Sequence, residues 1–383
     1  MGILRNQGNE IDTEGEKRED RPSSHFSRNP HKSARLSKNP FRHTDAMEKK
    51  LPLAITMGDP AGVGPELCWR SLTESVLAKC QPVLVGSADI LCEAQRQFAP
   101  QLDYKIISET GVNSFTLSPA QVLIIDAAPL KYSDLQKGQV SAVSGAAALQ
   151  SIALATDLCL NKTVVAMVTA PVSKEAIELS GVPFTGHTEW ISQRCGDCDE
   201  MMMMSALAQK LHIGYVSTHV PMARLCEVVT QDLVLRRIRQ CAQFARELGL
   251  KSIAVCGLNP HAGENGHLGR DELERIIPAI LQAKNEGIYC VGPFPADTLF
   301  VPSIRSQYDI VLAMYHDQGG IPFKMLAFEE GVNHTLGLPI IRSSVDHGTA
   351  WDLAWKGRAH TGSMIAAIEL ALMRAQGKLE EIS

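Results

Sequence analysis

The chain has 383 residues, of which 45% are hydrophobic and 21% charged. This balance is typical of folded protein, and the length suits two domains. The formal net charge of −5 excludes a generally basic nucleic-acid binder. No apolar run approaches the roughly 20 residues of a membrane span, the first residues lack the apolar centre of a signal peptide, and the ten cysteines follow no disulfide framework. We therefore expect a cytoplasmic protein with reduced thiols.

The first 50 residues differ in composition from the rest of the chain. They carry 11 Lys/Arg against 8 Asp/Glu, a net charge of +3, which leaves −8 for the remainder. Between Arg21 and Arg42 there are six basic residues, many Ser, Asn and Pro, and no acid. Such a segment buries too little apolar area to offset its ordering entropy. We predict a disordered basic extension over 1–50; contact with an anionic surface or nucleic acid, or a start of translation at Met47, are the alternatives.

Apolar runs and helical patterns alternate along the rest of the chain. The strand-like runs lie at 51–57, 82–86, 122–125, 163–168, 213–218, 252–256 and 309–314. The helical patterns lie at 140–160, 232–248, 271–284 and 363–375. Alternation of this kind predicts an α/β fold with mainly parallel sheets, in which ligands bind at the carboxyl ends of the strands. The run Met201–Met204 is predicted to fill the core.

A glycine-rich segment follows the first predicted strand directly. Its sequence, GDPAGVGPE at 58–66, suits a tight turn into a helix that begins at Pro65. One interpretation is an anion-binding loop at a helix N-terminus, and the other is a purely structural turn. The segment matches neither the dinucleotide-binding nor the phosphate-loop pattern.

A compact polar cluster, Gly-His-Thr-Glu, occupies residues 186–189. The neutral imidazole of His187 and the hydroxyl of Thr188 are able to hydrogen-bond a phosphate or carboxylate group. The alternative is that His187 is a solvated loop histidine.

Three histidines each follow an apolar strand-like run: His219, His261 and His316. If these strands are neighbours in one sheet, the imidazoles can converge at its edge. Three histidines with open positions describe a catalytic divalent-metal site, although spacing alone does not establish convergence. Asp297 and Asp317 can orient ligands or accept protons.

Two cations and an amide follow the last of these histidines. Lys324, Asn333 and Arg342 supply an ammonium, an amide and a bidentate guanidinium, the set that a phosphorylated acid requires. The alternative interpretation is that Lys324 and Arg342 are surface charges.

Several longer segments together resemble the 4-hydroxythreonine-4-phosphate dehydrogenases of the vitamin B6 pathway. The segments are MGDPAGVGPE at 57–66, TAPVSKEAI at 169–177, PFTGHTE at 183–189, NPHAGENGHLGRDE at 259–272, PADTLF at 295–300, YHDQG at 315–319 and GVNHTLGLPIIRSSVDHGTA at 331–350. The resemblance covers nearly all of 51–383 and excludes the first 50 residues.

The resemblance implies the isocitrate and isopropylmalate dehydrogenase fold, with two α/β domains and the active site in the cleft between them. We place the first domain at 51–176 plus 336–383, and the second, with the metal and dimer contacts, at 177–335. The family forms homodimers whose metal and substrate contacts are shared across the interface.

The resemblance also assigns roles to individual residues. The metal ligands fall on His219, His261 and His316, with Zn, Co or Mg as the divalent ion. The substrate contacts fall on His187, Thr188, Lys324, Asn333 and Arg342. The segment from Asp346 is similar to the adenosine-binding loop of those dehydrogenases and implies that NAD or NADP binds at His347, Gly348, Thr349 and Ala350. The proton acceptor stays open among Lys324, Asp297 and Asp317.

The activity implied is oxidation of 4-hydroxythreonine 4-phosphate (4-phosphooxy-L-threonine) to a β-keto acid that decarboxylates to 3-amino-2-oxopropyl phosphate. The nearest alternative is a related dehydrogenase of a 4-phosphorylated sugar acid, threonate or erythronate 4-phosphate. A third hypothesis, a catalytically silent metal- or nucleotide-binding protein, is disfavoured because a silent site has no need of the full residue set. We expect a small phosphorylated substrate and a homodimer, with no nucleic-acid or membrane partner.

Overall fold

A computed structural model describes residues 50–108 and 121–382, which lie within the compact unit 39–383. Lys50 apart, the predicted basic extension 1–50 lies outside the described residues.

The strands of the described residues form one twelve-stranded sheet. They are β1 (Leu51–Thr56), β2 (Cys80–Gly86), β3 (Tyr104–Ser108), β4 (Val122–Asp126), β5 (Ala166–Thr169), β6 (Met201–Ala206), β7 (Leu211–Tyr215), β8 (Ile253–Cys256), β9 (Cys290–Phe294), β10 (Ile310–Ala313), β11 (Val332–Leu336) and β12 (Arg342–Val345). Their order across the sheet is β3-β4-β2-β1-β5-β12-β11-β6-β7-β10-β8-β9. Pairing is parallel except that β11 runs antiparallel to β12 and β6, and β6 runs antiparallel to β7.

The α-helices cover the sheet. They are α1 (Gly64–Arg70), α2 (Glu74–Lys79), α3 (Ala88–Phe98), α4 (Ala142–Leu160), α5 (Lys174–Leu179), α6 (His187–Arg194), α7 (Leu225–Val228), α8 (Gln231–Glu247), α9 (Ile277–Asn285), α10 (Ala296–Leu299), α11 (Pro302–Arg305), α12 (His316–Ala327) and α13 (Gly362–Ile382). A π-helical segment, Glu272–Ile276, precedes α9. Helices and a largely parallel sheet confirm the predicted α/β class.

The predicted domain boundaries fall within α5 and within β11. The sheet is continuous through both parts, because β5 pairs with β12 and β11 pairs with β6. The division into 51–176 plus 336–383 and 177–335 therefore stays a prediction.

The methionine run forms the central strand β6. Three of its residues are at most 2% exposed, namely Met201, Met203 and Met204. This burial confirms their predicted place in the core. Unbranched thioether side chains fill the irregular space where the sheet changes from parallel to antiparallel pairing.

The helix α4 is the one described helix that is long and apolar enough to cross a membrane. It has 19 residues with a mean hydropathy of 1.4, and it starts where the Ser141 side chain accepts a hydrogen bond from Ser144 N. It contacts β1, β2 and α5, and 56% of the apolar window is buried within the protein. This is the packing of a core helix.

A buried polar cluster joins the three antiparallel strands at the centre of the sheet. Ser205 Oγ on β6 lies 2.7 Å from His212 Nδ1 on β7 and 2.7 Å from His334 Nε2 on β11. Burial lowers the pKa of His212 from 6.5 to about 4, and it holds the pKa of His334 well below 6.5. Both rings are therefore neutral at pH 7.

We expect the free energy of unfolding to fall as the pH decreases from 7 to 5. The unfolded imidazoles take up protons near pH 6.5 while folded His212 does so only near pH 4, so the unfolded state binds more protons between these values. For His212 alone the difference is ~3 kcal/mol, present in full above pH 6.5 and lost as the pH falls toward 4. Urea unfolding at pH 7, 6 and 5 measures the dependence.

The control for this prediction is His212→Asn, which keeps a partner for Ser205 Oγ but does not titrate. The unfolding free energy of this variant should depend less steeply on pH than that of the wild type, because only His334 of the two histidines still titrates. Equal dependence in the two proteins would contradict the prediction.

Candidate active site

The glycine-rich loop between β1 and α1 packs against two other loops. Asp59 N donates to Pro171 O at 2.9 Å, and Val63 N donates to Thr349 O at 3.0 Å. Gly58 has φ 67°, and a Cβ added there would lie 2.5 Å from Pro171 O, so this turn requires glycine. The loop thus joins the segment after β5 to the predicted cofactor segment, and contact of this loop with an anion stays a prediction.

A buried arginine lies on β12, which is separated from β1 by β5 in the sheet. Arg342, on β12, is only 3% exposed. Its Nη2 donates to Thr169 Oγ1 at 2.9 Å, and its Nη1 donates to Thr335 Oγ1 at 3.2 Å and to Thr188 Oγ1 at 3.5 Å. Burial lowers the pKa of Arg342 to about 10, although the Glu189 carboxylate opposes this effect. The guanidinium is therefore charged at pH 7, and its hydrogen-bond partners are neutral hydroxyls.

Three buried polar atoms in this region have no hydrogen-bond partner within the described part of the chain: His187 Nε2, Asn333 Oδ1 and Arg342 Nε. Asn333 lies two residues before Thr335 on β11, so the two side chains share one face of the sheet. Burial, assisted by the charges of Arg342 and Lys174, holds the pKa of His187 well below 6.5. Since buried polar groups normally have partners, these atoms indicate a ligand site with donors and an acceptor.

A lysine in the last turn of α12 and a carboxylate directly after β12 face each other. Lys324 Nζ lies 3.5 Å from Asp346 Oδ2, and the lysine side chain is 47% exposed. Burial raises the pKa of Asp346, although the nearby Lys324 ammonium counteracts it. The pair is therefore placed to exchange a proton with a bound molecule.

Two of the predicted metal ligands are neighbours. The ring of His316 lies 6.2 Å from the ring of His219 and stacks on Tyr215 at 6.0 Å, measured between centroids. His316 Nδ1 lies 2.7 Å from Asp317 Oδ1. A carboxylate on Nδ1 fixes the tautomer of a histidine and leaves Nε2 for a ligand, so Asp317 is placed to orient His316.

The third predicted ligand, His261, is not part of this pair. Its strand β8 is adjacent to β10, and β10 to β7, so the three strands are neighbours as the sequence suggested. His261 itself is exposed and begins a run of residues in the left-handed region, 261–265. In residues 50–108 and 121–382, no three His, Cys, Asp or Glu side chains are grouped to hold a metal ion. Whether His261 joins His219 and His316 at a metal ion therefore stays a prediction.

Asp297 lies exposed on α10, a helix that contacts the Pro260–Gly266 segment. It thus belongs to the region of His261, while Asp317 belongs to the region of His316. The three candidate proton acceptors therefore lie on two helices, Asp297 on α10 and both Asp317 and Lys324 on α12. Within the described residues, Asp317 contacts His316 and Lys324 contacts Asp346.

A cleft of about 400 Å³ adjoins Asp346. Apolar side chains and three of the four predicted cofactor residues line it: Val63, Leu353, Ala359, His347, Gly348 and Ala350. The fourth, Thr349, is buried, and its carbonyl is already bound by the loop after β1. Polar side chains also line the cleft, namely Glu329, Asp346, His360 and Ser363, and binding of NAD or NADP here stays a prediction.

Sequence reasoning did not single out three residues of this site. Thr169 and Thr335 surround the Arg342 guanidinium, and Asp346 faces Lys324. Each lies inside a segment already quoted for its resemblance, but a threonine or an aspartate in a strand carries no local signal of its contacts. Only the pairing of β5, β12 and β11 brings the two threonines to one arginine.

The fold is an α/β arrangement around one largely parallel sheet, with a buried arginine on β12 and a cleft at the segment that follows β12. Residues 78–371 match the family model described as pyridoxal phosphate biosynthetic protein PdxA. The chain belongs to this family, and it is a dehydrogenase.

Known relatives carry two different substrate names. The chain is 41% identical to the 4-hydroxythreonine-4-phosphate dehydrogenase of Trichlorobacter lovleyi, over 84% of this chain and 97% of that protein. It is 40% identical to the D-threonate 4-phosphate dehydrogenase of Salmonella typhimurium, over 86% of this chain and all of that protein. A crystal structure of 4-hydroxythreonine-4-phosphate dehydrogenase from Klebsiella pneumoniae is 39% identical with a TM-score of 0.74, covering 85% of this chain and all of that one.

Proposed function

We propose that the chain is an NAD(P)-dependent, metal-assisted oxidative decarboxylase of 4-phosphooxy-L-threonine in pyridoxal phosphate biosynthesis. The observation that carries the proposal is the buried, charged Arg342, surrounded by neutral hydroxyls and by the unpartnered atoms His187 Nε2 and Asn333 Oδ1. Burying a guanidinium without a bonded carboxylate is costly unless an anion completes the site. A substrate phosphate supplies that charge and accepts several hydrogen bonds at once.

The side chains of the site then hold the substrate along its length. Arg342, Thr188 and His187 bind the phosphate, and Asn333 orients the carbon chain. The Lys324–Asp346 pair takes up the proton of the alcohol: Lys324 Nζ first gives a proton to Asp346 Oδ2, 3.5 Å away, and its neutral amine then accepts the alcohol proton. Holding the reacting carbon in one orientation removes much of the entropic barrier.

The bond changes balance with NAD or NADP as the hydride acceptor. The alcohol carbon loses a hydride and its oxygen loses a proton, which gives a β-keto acid. The bond to the carboxylate then breaks, carbon dioxide leaves, and the remaining enolate takes up a proton to give 3-amino-2-oxopropyl phosphate. Bound NAD or NADP supplies the hydride acceptor, and a bound divalent cation (Zn, Co or Mg) supplies positive charge for the alcohol oxygen.

We further propose a homodimer in which His261 comes from a second copy of the chain. Two imidazoles of one chain lie together, while His261 is exposed and apart from them. The surface of α12 next to the pair carries exposed apolar side chains, with Ile321 60% and Met325 81% exposed. A second copy would bury this surface and complete the ligand set.

A cytoplasmic location agrees with the thiol state. All ten cysteines are free, and burial raises the pKa of several of them, Cys68 and Cys80 to about 12. Unreactive reduced thiols suit a reducing compartment.

The substrate assay compares reduction of NAD and of NADP with 4-phosphooxy-L-threonine and with D-threonate 4-phosphate. We expect a higher kcat/KM for the amino acid, and the keto product should release carbon dioxide. The two compounds differ at the second carbon, where one bears an amine and the other a hydroxyl, so their ratio reports on substrate class and not on phosphate binding. A clear preference for D-threonate 4-phosphate would contradict the proposal and show that the chain is a dehydrogenase of a phosphorylated sugar acid.

A further inference from the structure

The segment that carries His261 has an unusual backbone. Five consecutive residues lie in the left-handed region, with φ 53° at His261, 51° at Ala262, 76° at Gly263, 41° at Glu264 and 54° at Asn265. Only one of the five is glycine, and the other residue types rarely adopt this region. The surroundings must therefore impose the conformation, and we call residues 261–265 the left-handed turn.

A buried carboxylate, that of Glu272, holds the start of this turn, and its neighbour Asp271 accepts one further hydrogen bond, from Asn259 Nδ2 at 3.0 Å. Glu272 is 2% exposed. Its Oε1 accepts hydrogen bonds from Leu258 N at 2.7 Å and Asn259 N at 2.8 Å, and its Oε2 accepts one from Asn259 Nδ2 at 3.0 Å. Three donors on one carboxylate fix the chain immediately before Pro260, and hydrogen bonds to a charged acceptor are the stronger kind.

The carboxylate also fits against the turn itself. A Cβ added to Gly263 would lie 2.5 Å from Glu272 Oε2, and one added to Gly257 would lie 3.1 Å from Oε1. The absence of side chains at these two glycines therefore lets Glu272 approach both the entry and the middle of the turn.

A second side chain relates the turn to His316. Gln318, two residues after His316, accepts a hydrogen bond at Oε1 from Met314 N at 2.7 Å and donates from Nε2 to Gly257 O at 2.8 Å. The end of β8 and the start of α12 are thus held in one register, so the outward placement of His261 is fixed relative to the helix that bears His316.

We propose that Glu272 is a positioning residue of the metal centre: its carboxylate fixes the left-handed turn so that His261 is presented outward to the histidine pair of a second chain. This inference rests on the proposed shared site. Glu272 does not contact the substrate or the ion; it acts through the backbone of residues 258–263.

The test compares Glu272→Gln with Glu274→Gln in the full-length protein. Glu272→Gln keeps the shape of the side chain and one acceptor oxygen. Its amide nitrogen replaces Oε2 and faces Asn259 Nδ2, so two hydrogen-bond donors meet. Glu274 is an exposed residue two positions along the same segment that pairs with Arg270 at 2.5 Å, and it makes a matched control for loss of one negative charge.

Three readouts are measured on protein first stripped of metal with a chelator: Co²⁺ affinity, kinetics in excess Co²⁺, and hydrogen exchange without metal. Titration with Co²⁺ alone, followed by its visible absorption, should show a Kd about 10 to 100 times higher for Glu272→Gln than for wild type. Excess Co²⁺ should restore kcat with an unchanged substrate KM, since the substrate contacts are intact. Hydrogen exchange at the amides of Leu258 and Asn259 should be about tenfold faster in Glu272→Gln without any metal. Glu274→Gln should match the wild type throughout.

The two hypotheses fail in different ways. Wild-type protein that does not bind Co²⁺ would reject the proposed metal dependence and, with it, the role of Glu272 at a metal centre. Wild type and Glu272→Gln that bind Co²⁺ equally well would overturn the positioning role alone, as would unchanged exchange at Leu258 and Asn259. Glu272→Ala, which removes all three hydrogen bonds, should show a larger effect than Glu272→Gln if it folds.

Discussion

Replacing Arg342 by Met should lower kcat/KM by ~10²–10⁴-fold, chiefly through KM, because about two charge-assisted hydrogen bonds of 1.5–3 kcal/mol each are lost. The effect should depend on the phosphate. Wild-type enzyme should strongly prefer the phosphorylated substrate over 4-hydroxythreonine, whereas the variant should treat the two compounds almost alike. Initial rates of NAD reduction for both proteins with both compounds measure this coupling directly.

A second buried arginine provides the control for this experiment. Arg374 is also 3% exposed, but its partner is Glu247, at 2.6 Å in a buried ion pair. Arg342→Lys and Arg374→Lys both keep a positive charge and both lose the planar fork. Arg342→Lys should raise KM, and Arg374→Lys should lower the melting temperature and leave KM unchanged. An unchanged KM in both Arg342 variants would remove this arginine from the phosphate site.

The parallel part of the fold was predictable because its strands are continuous apolar runs. The predicted runs at 82–86, 122–125 and 309–314 correspond closely to β2, β4 and β10. Strands buried on both faces need no polar residues, so their sequence is unambiguous. The same reasoning found α4 and α8, whose lengths exceed those of any strand.

The antiparallel centre was not predictable in the same way. The strands β11 and β12, with sequences VNHTL and RSSV, carry polar side chains at fully buried positions. Several of those side chains bond to residues distant in sequence, as His334 Nε2 does to Ser205 Oγ and Arg342 Nη2 does to Thr169 Oγ1. Reasoning from neighbouring residues alone predicts that such polar residues are exposed. Their hydrogen-bond partners lie more than a hundred positions away along the chain and do not enter a local pattern.

The candidate site likewise has one part that the sequence predicts and one part that it does not. The sequence placed His219 and His316 after adjacent strands, and their rings lie 6.2 Å apart. The sequence after β8 does not predict which way the backbone turns there. The left-handed turn depends on the carboxylate of Glu272, which lies further along the chain, and on two glycines. Whether three histidines meet at one cation is thus decided by tertiary contacts and by assembly, which spacing along a chain does not encode.

Two inactive variants should restore activity to each other when they share a dimer. His261→Ala and His219→Ala should each lose nearly all activity as separate homodimers. In a mixed dimer, one site combines the intact His219 and His316 of one chain with the intact His261 of the other, and the second site carries both defects. Random assembly from equal amounts makes half of the dimers mixed, so about one quarter of wild-type activity should return.

A mixture of His219→Ala with His316→Ala is the matched control. These two rings lie together within one chain, so every site in every dimer of that mixture lacks one of them. Differently tagged chains, co-expressed and purified through both tags, give the mixed dimers directly, and their activity should then be about half of wild type. No recovery in the first mixture would mean that each chain builds its site alone, and the exposed His261 would then need a rearrangement of the left-handed turn to reach its own pair. Recovery in the control mixture would instead mean that the His219 and His316 of one site come from different chains.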